Sequence, residues 1–421
     1  MQSSIKLRLT VMNFLQFAVW GAYLTSMGRY LGTAGFGSEI GNFYAMQGLV
    51  SLFMPALMGI VADRWIPAQR LLGLCHLLSG MLMLGVFNYT QTDAPSYPTL
   101  FALYSLSVAF YMPTLALSNS VAYTSLDQAG LDLVKSFPPI RVFGTVGFIC
   151  TMITVSLLGF EATNMQFAVS ALISCVLAVY THTLPNCPTA PKGQSKSLVE
   201  ALGLRAFVLF KQRKMALFFI FSMLLGVSLQ ITNGFANPFI STFGEIPAYA
   251  DTFGVKYANI LISLSQLSET LCILLIPFAL RRFGIRRVML IAMVAWVLRF
   301  ALLGLGNPGS GVWLFLLSMI VYGVAFDFFN VSGSLFVDQE TDPSIRSSAQ
   351  GLFMIMTNGI GATLGSLGAQ AVINHFVYSE HDTTAILAGW SMSWYVFAAY
   401  AAVVAVLFAL LFRYNTATEA K

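Results

Sequence analysis

The sequence predicts an all-α integral membrane protein with twelve transmembrane helices in two six-helix halves, and three observations predict it. The 421 residues are 57% hydrophobic and only 9% charged, with 35 Phe and 19 Met, more apolar surface than a water-soluble core can hide. Apolar stretches of roughly 17 to 23 residues, the length that crosses a hydrocarbon layer about 30 Å thick, recur twelve times along the chain. One long hydrophilic stretch stands near the middle, and short motifs before it return after it.

The first six stretches run over 9–27, 43–61, 71–87, 100–122, 142–158 and 167–180. The first is too long for a signal-peptide core, carries Gln16 and Trp20, and lacks a small-residue cleavage site, so it is kept as a helix. The sixth is the shortest. The hydrophilic stretch 186–214, with Pro188, Pro191 and the six cations Lys192, Lys196, Arg205, Lys211, Arg213 and Lys214, reads as a linker between an N-terminal half, 1–185, and a C-terminal half, 215–421. The second half holds stretches at 217–235, 260–278, 288–305, 312–328, 352–372 and 394–411. The Gly359, Gly361, Gly365 and Gly368 set in the eleventh predicts a close-packing face.

Placing both termini on the cytoplasmic side puts eighteen of the 22 Lys and Arg inside and only Arg29 and Lys256 outside, leaving Arg141 at the start of the fifth stretch and Arg299 within the ninth. That asymmetry is what the positive-inside rule expects. The formal charge of +5 therefore expresses topology, and no nucleic-acid partner is expected. The five Cys are an odd number without metal-ligand spacing, and no phosphate loop, nucleophile elbow or zinc motif occurs. The chain is read as no enzyme, with neither metal nor cofactor.

Val108-Ala109-Phe110 in the fourth stretch returns as Val324-Ala325-Phe326 in the tenth, and Pro138-Pro139-Ile140-Arg141 before the fifth returns as Pro343-Ser344-Ile345-Arg346 before the eleventh. The two offsets differ, which a longer polar loop over 125–136 explains. Six plus six helices related by repeats is a secondary-transporter architecture, whose substrate site is expected at mid-membrane between the halves. Gly59-Ile60-Val61-Ala62-Asp63-Arg64, after the second stretch, resembles the loop signature of the major facilitator superfamily. Asp63 and Arg64 are the candidate conformational gate, a charge pairing that breaks on opening. The counterpart, Arg281-Arg282 through Arg286-Arg287, keeps the cations without the Asp.

Of seventeen acidic residues, only Glu269 and Asp327 fall inside stretches. A carboxyl there costs on the order of 3 kcal/mol on insertion scales, and a group that gains and loses a proton with its exposure suits proton coupling. Helical spacing gathers neighbours around them. Gln230, Asn233 and Asn237 form one stripe, Gln266 lies three residues before Glu269, and Tyr322, Phe326 and Asn330 run beside Asp327. Amides and carboxylates on polar edges with flat aromatic faces suit a planar, polar-edged ligand. Arg141, Thr145 and Phe148 fall at i, i+4 and i+7, and spacing leaves Arg141 equally open to site and to anchoring roles. Arg299 is left out of the site as a side chain able to snorkel, and His76 is read as a hydrogen-bonded packing residue.

Longer strings then carry a resemblance. Tyr111-Met112-Pro113-Thr114, Phe137 through Arg141, Leu229-Gln230-Ile231-Thr232-Asn233, Ser265-Gln266 through Glu269, and Tyr322-Gly323 through Asn330 resemble the nucleoside:proton symporter family of the major facilitator superfamily over nearly the whole chain. The resemblance implies a central pocket to which Arg141, Thr145, Phe148, Gln230, Asn233, Gln266, Glu269, Tyr322, Phe326 and Asp327 contribute. It also implies import of uridine-type nucleosides or xanthosine with protons, a bacterial inner-membrane location and a monomer. The alternatives are a proton-coupled transporter of another solute, such as a sugar, and a membrane sensor that does not transport.

Overall fold

The computed structural model describes residues 2–189, 204–343 and 345–414. Much of the expected linker, with Pro191, Lys192 and Lys196, lies outside the described residues, as do Ser344 and Lys421. All regular structure among the described residues is helical. The twelve spans are α1 (Gln2–Gly21, resumed at Met27–Thr33), α2 (Gly37–Arg64), α3 (Ala68–Tyr89), α4 (Tyr97–Gln128), α5 (Leu133–Leu157), α6 (Met165–Tyr180), α7 (Arg213–Glu245), α8 (258–283), α9 (285–305), α10 (Val312–Glu340), α11 (Arg346–Met354, a π-helical turn Ile355–Gly361, and Ala362–Phe376) and α12 (Thr383–Leu411).

Three boundaries differ from the sequence expectation. No loop joins α8 to α9: the chain turns at Gly284 alone, at φ 74° and ψ 163°, a left-handed conformation that costs a glycine little and a residue with a Cβ much more. The Arg281, Arg282, Arg286 and Arg287 cluster therefore sits on helix ends. The polar stretch 125–136 is mostly helix, split between the end of α4 and the start of α5. Pro138 and Pro139 lie inside α5 instead of before it; proline's fixed φ is helical and its cost is the missing ladder bond.

The chain divides into two compact units, Met1–Phe36 with Met46–Leu202, and Gly37–Ala45 with Gly203–Lys421. The first is held by a core of Leu9, Met12, Leu71, Leu72, Val121, Leu126 and Leu177. Its α1 and α5 approach closely, because a Cβ on Gly147 would strike the Phe14 carbonyl and one on Gly21 the Phe148 carbonyl. Small residues let backbones meet where lipid supplies no hydrophobic drive between helices. The second unit is aromatic: Phe218 packs with Phe336 and Phe353 at 4.6 and 5.5 Å between ring centres, and Trp394 with Phe239 and Phe300 at 5.6 and 6.0 Å. In the same unit the start of α2 docks on α11, where Gln370 accepts from the Gly41 amide at 2.5 Å and donates to the Gly37 carbonyl at 3.0 Å. Leu172, Val179, Val403 and Leu410 stand exposed on helix faces, the apolar outer surface expected of helices solvated by lipid.

Candidate functional site

In the second unit the polar cluster is built on α7, α8, α9 and α10. Helix α7 breaks at Gln230, the residue between its two helical pieces. There the Gln230 Oε1 accepts from the Asn233 Nδ2 at 2.8 Å, so the two amides act as one partly exposed group. Asn237, two turns on, is fully buried and donates to Asn259 of α8 at 2.9 Å; the third member of the expected stripe is a helix-to-helix tie.

Helices α8 and α10 are zippered together. Ser265 Oγ donates to the Met319 sulfur at 3.0 Å, Ser268 Oγ to the Ile320 carbonyl, and a Cβ on Gly323 would meet the Ser268 carbonyl at 2.5 Å. That close approach carries Glu269 to the side of Tyr322 and Asp327, with Gln266 one turn before it on α8 and partly buried. Glu269 acts electrostatically on both. Asp327 is only 5% exposed, and its Oδ2 has no hydrogen-bond partner. Tyr322 and Phe326 stack at 5.6 Å with 16° between planes, and Trp296 meets Tyr322 edge-on at 5.9 Å. Asn330 donates back to the Phe326 carbonyl at 3.1 Å. A buried carboxyl with a second one near it can hold or release a proton, and partly exposed amides with a two-ring platform can bind a planar solute.

Arg299 corrects the sequence expectation. It does not snorkel: it is 2% exposed, and its guanidinium lies 4.4 Å over the Tyr322 ring. Nη1 donates to the Ser318 carbonyl at 2.9 Å and to Ser265 Oγ at 3.3 Å. Position in a span cannot separate a cation reaching the interface from one turned inward, because both have the same depth and differ only in helix rotation.

In the first unit Arg141, Thr145 and Phe148 share a face of α5. The Arg141 guanidinium lies 4.0 Å over the Phe17 ring of α1 and close enough to Tyr111 to act on it. Thr145 is partly exposed. Phe148 is 7% exposed and meets Trp20 edge-on at 6.4 Å, while Trp20 packs on Tyr111 at 5.8 Å. Gln16, on the same face of α1 as Trp20, is fully buried. Gln16 Nε2 donates to Thr114 at 2.7 Å, and its Oε1 faces the His76 Nε2 at 2.7 Å. The His76 Nδ1 faces Ser174 at 3.0 Å, so both ring nitrogens are engaged in helix packing.

Asp63 ends α2 partly buried and makes no ion pair among the described residues; Arg64 beside it is exposed. Of the four α11 glycines, Gly361 and Gly365 face α7 backbone closely, whereas Gly368 faces open space. No group of three residues able to hold a metal occurs among the described residues.

Comparison with known proteins agrees with this architecture. Residues 3–417 match the family described as nucleoside H+ symporter. The chain is 49% identical to the xanthosine permease of Escherichia coli over 98% of its length and 97% of that protein's. It is 46% identical to the nucleoside permease NupG of the same organism over the same shares. The crystal structure of nucleoside transporter NupG superposes with a TM-score of 0.89 at 45% identity, covering 98% of this chain and all of that one. A D-xylose-proton symporter, at 14% identity and a TM-score of 0.68, shares the fold alone. Matched from end to end, the chain is a membrane transporter and belongs to the nucleoside H+ symporter family.

Proposed function

We propose that this chain imports nucleosides, xanthosine or uridine-type, driven by protons moving with them, by alternating access across a bacterial inner membrane with both termini cytoplasmic. Gln230, Asn233 and Gln266 hydrogen-bond base or ribose, Tyr322, Phe326 and Phe148 stack against the base, and Arg141 and Thr145 complete the polar contacts. Asp327 and Glu269 share ribose binding and the transported proton, titrating as a pair. Asp63 and Arg64 form the gate, the 186–214 segment links a half of 1–185 to one of 215–421, and the monomer is the working unit.

The observation that carries this reading is Asp327: a carboxyl inside a membrane span, 5% exposed, one oxygen unpartnered, with Glu269 acting on it. A static structural carboxyl would have both oxygens satisfied, since an orphaned buried acceptor costs about 1–3 kcal/mol. The test is uptake of labelled uridine and xanthosine into vesicles under an imposed inward proton gradient, with Asp327→Asn and Glu269→Gln beside wild type. Gradient-driven uptake of a nucleoside, lost in Asp327→Asn, is expected. Uptake of neither nucleoside by folded wild type, or uptake indifferent to both substitutions, would refute it; a sugar competing for the site would point to another solute.

A further inference from the structure

We propose that Arg299 is a positioning residue for nucleoside recognition, setting the Tyr322–Phe326 platform and the spacing of the two helices that carry the carboxyls. The inference rests on the nucleoside reading of the same site and adds a residue that touches no substrate in it.

The guanidinium, carried by one helix, is placed by contacts from two others at once. Arg299 belongs to α9, its Nη1 donates to Ser265 of α8 at 3.3 Å and to the Ser318 carbonyl of α10 at 2.9 Å, and the Ser318 hydroxyl returns a bond to the Arg299 carbonyl at 2.9 Å. Ser265 precedes Gln266 directly, and Ser318 lies one turn before Tyr322. One side chain therefore ties the Ser265 hydroxyl of α8 to the Ser318 backbone of α10 at the level from which Gln266, Glu269, Tyr322 and Asp327 project.

The same planar cation lies 4.4 Å from the Tyr322 ring centre, and Tyr322 stacks in turn on Phe326 at 5.6 Å. With Trp296 closing the edge at 5.9 Å, the tyrosine ring cannot rotate without giving up the cation. A permanently charged residue 2% exposed in a membrane span carries a cost that two or three neutral hydrogen bonds do not repay on packing grounds alone. Holding an aromatic floor in one orientation before the solute arrives is a return on that cost, because ordering it at binding would weaken affinity. Lysine can supply charge but not the flat face that stacks.

The test is initial-rate uptake of uridine and of xanthosine by wild type, Arg299→Gln and Arg299→Lys in proteoliposomes, with folded transporter counted by size-exclusion chromatography and melting temperature. Loss of the cation from the Tyr322 face is expected to raise KM about tenfold for both nucleosides, with the maximal rate per folded transporter within about twofold, and Arg299→Lys to recover only part of the KM. A merely structural arginine would lower the amount of folded protein or the maximal rate and leave KM where it was; that result overturns the proposal, as does full recovery of KM by lysine. If Arg299→Gln does not fold, Arg299→Lys decides alone, a KM equal to wild type overturning the proposal and a several-fold rise supporting it. Wild type transporting neither nucleoside overturns the functional reading and this inference with it, whereas wild-type transport with unchanged KM in the variants overturns this inference only.

Discussion

Adding one methyl group at Gly365 should loosen the seam between α7 and α11, whereas the same change three residues on should not. A Cβ at Gly365 would strike the Val227 carbonyl, and the seam continues where Gly361 faces the Met223 carbonyl at 2.5 Å and the Gly226 Cα at 2.8 Å. Backbone cannot yield as a flexible side-chain tip can, so the helices must part by about an ångström, and a gap of that size forfeits a quarter to a half of each dispersion contact across the seam. Overpacking of this kind costs about 1–3 kcal/mol. Gly365→Ala should sit near the top of that range, since the obstruction is main chain. Gly368 meets nothing within 4 Å, so Gly368→Ala should be neutral or stabilising by about 0.5–1 kcal/mol through helix propensity. Unfolding in mixed detergent micelles, followed by tryptophan fluorescence, measures both. Because Gln230 lies one turn beyond Gly226 on α7, Gly365→Ala should also raise nucleoside KM. Equal stability of the two variants, or a Gly368→Ala protein as damaged as Gly365→Ala, would refute the reasoning.

Arg286 donates from Nε to the Phe412 carbonyl at 2.6 Å and from Nη2 to the Ala409 carbonyl at 2.7 Å, satisfying the carbonyls that end α12; Arg286→Ala should cost about 1.5–3 kcal/mol and speed amide exchange near residue 412 by mass spectrometry. In the first unit Glu161 pairs with Arg29 at 3.3 Å with its side chain 4% exposed, so Glu161→Gln should destabilise by roughly 2–3 kcal/mol, less than a fully buried pair because Arg29 is partly wet; a melting temperature equal to wild type counts against it. The proton-driven uptake of Asp327→Asn and Glu269→Gln, and the KM of the Arg299 variants, complete the set.

Amino-acid order alone reached far in this chain because a bilayer imposes one solution on the backbone: every N–H and C=O must pair within a helix, so each apolar stretch of sufficient length announces a span. Composition and length thus determined the all-helical class and the twelve spans. The rarity of ionisable groups in lipid singled out Glu269 and Asp327, and the strings around them carried the family. Helical period brought Gln230 to Asn233, and Tyr322 to Phe326, because neighbours on one helix face need no tertiary information. Contacts between helices were decided only by packing. Rotation about the helix axis turned Arg299 inward onto Tyr322, tied Asn237 to Asn259, joined Gln16 to His76, and set Gly361 and Gly365 against backbone while leaving Gly368 to meet nothing. A linear pattern records which residues share a face of one helix; it holds no record of which face another helix will meet, and that is the quantity that folding sets.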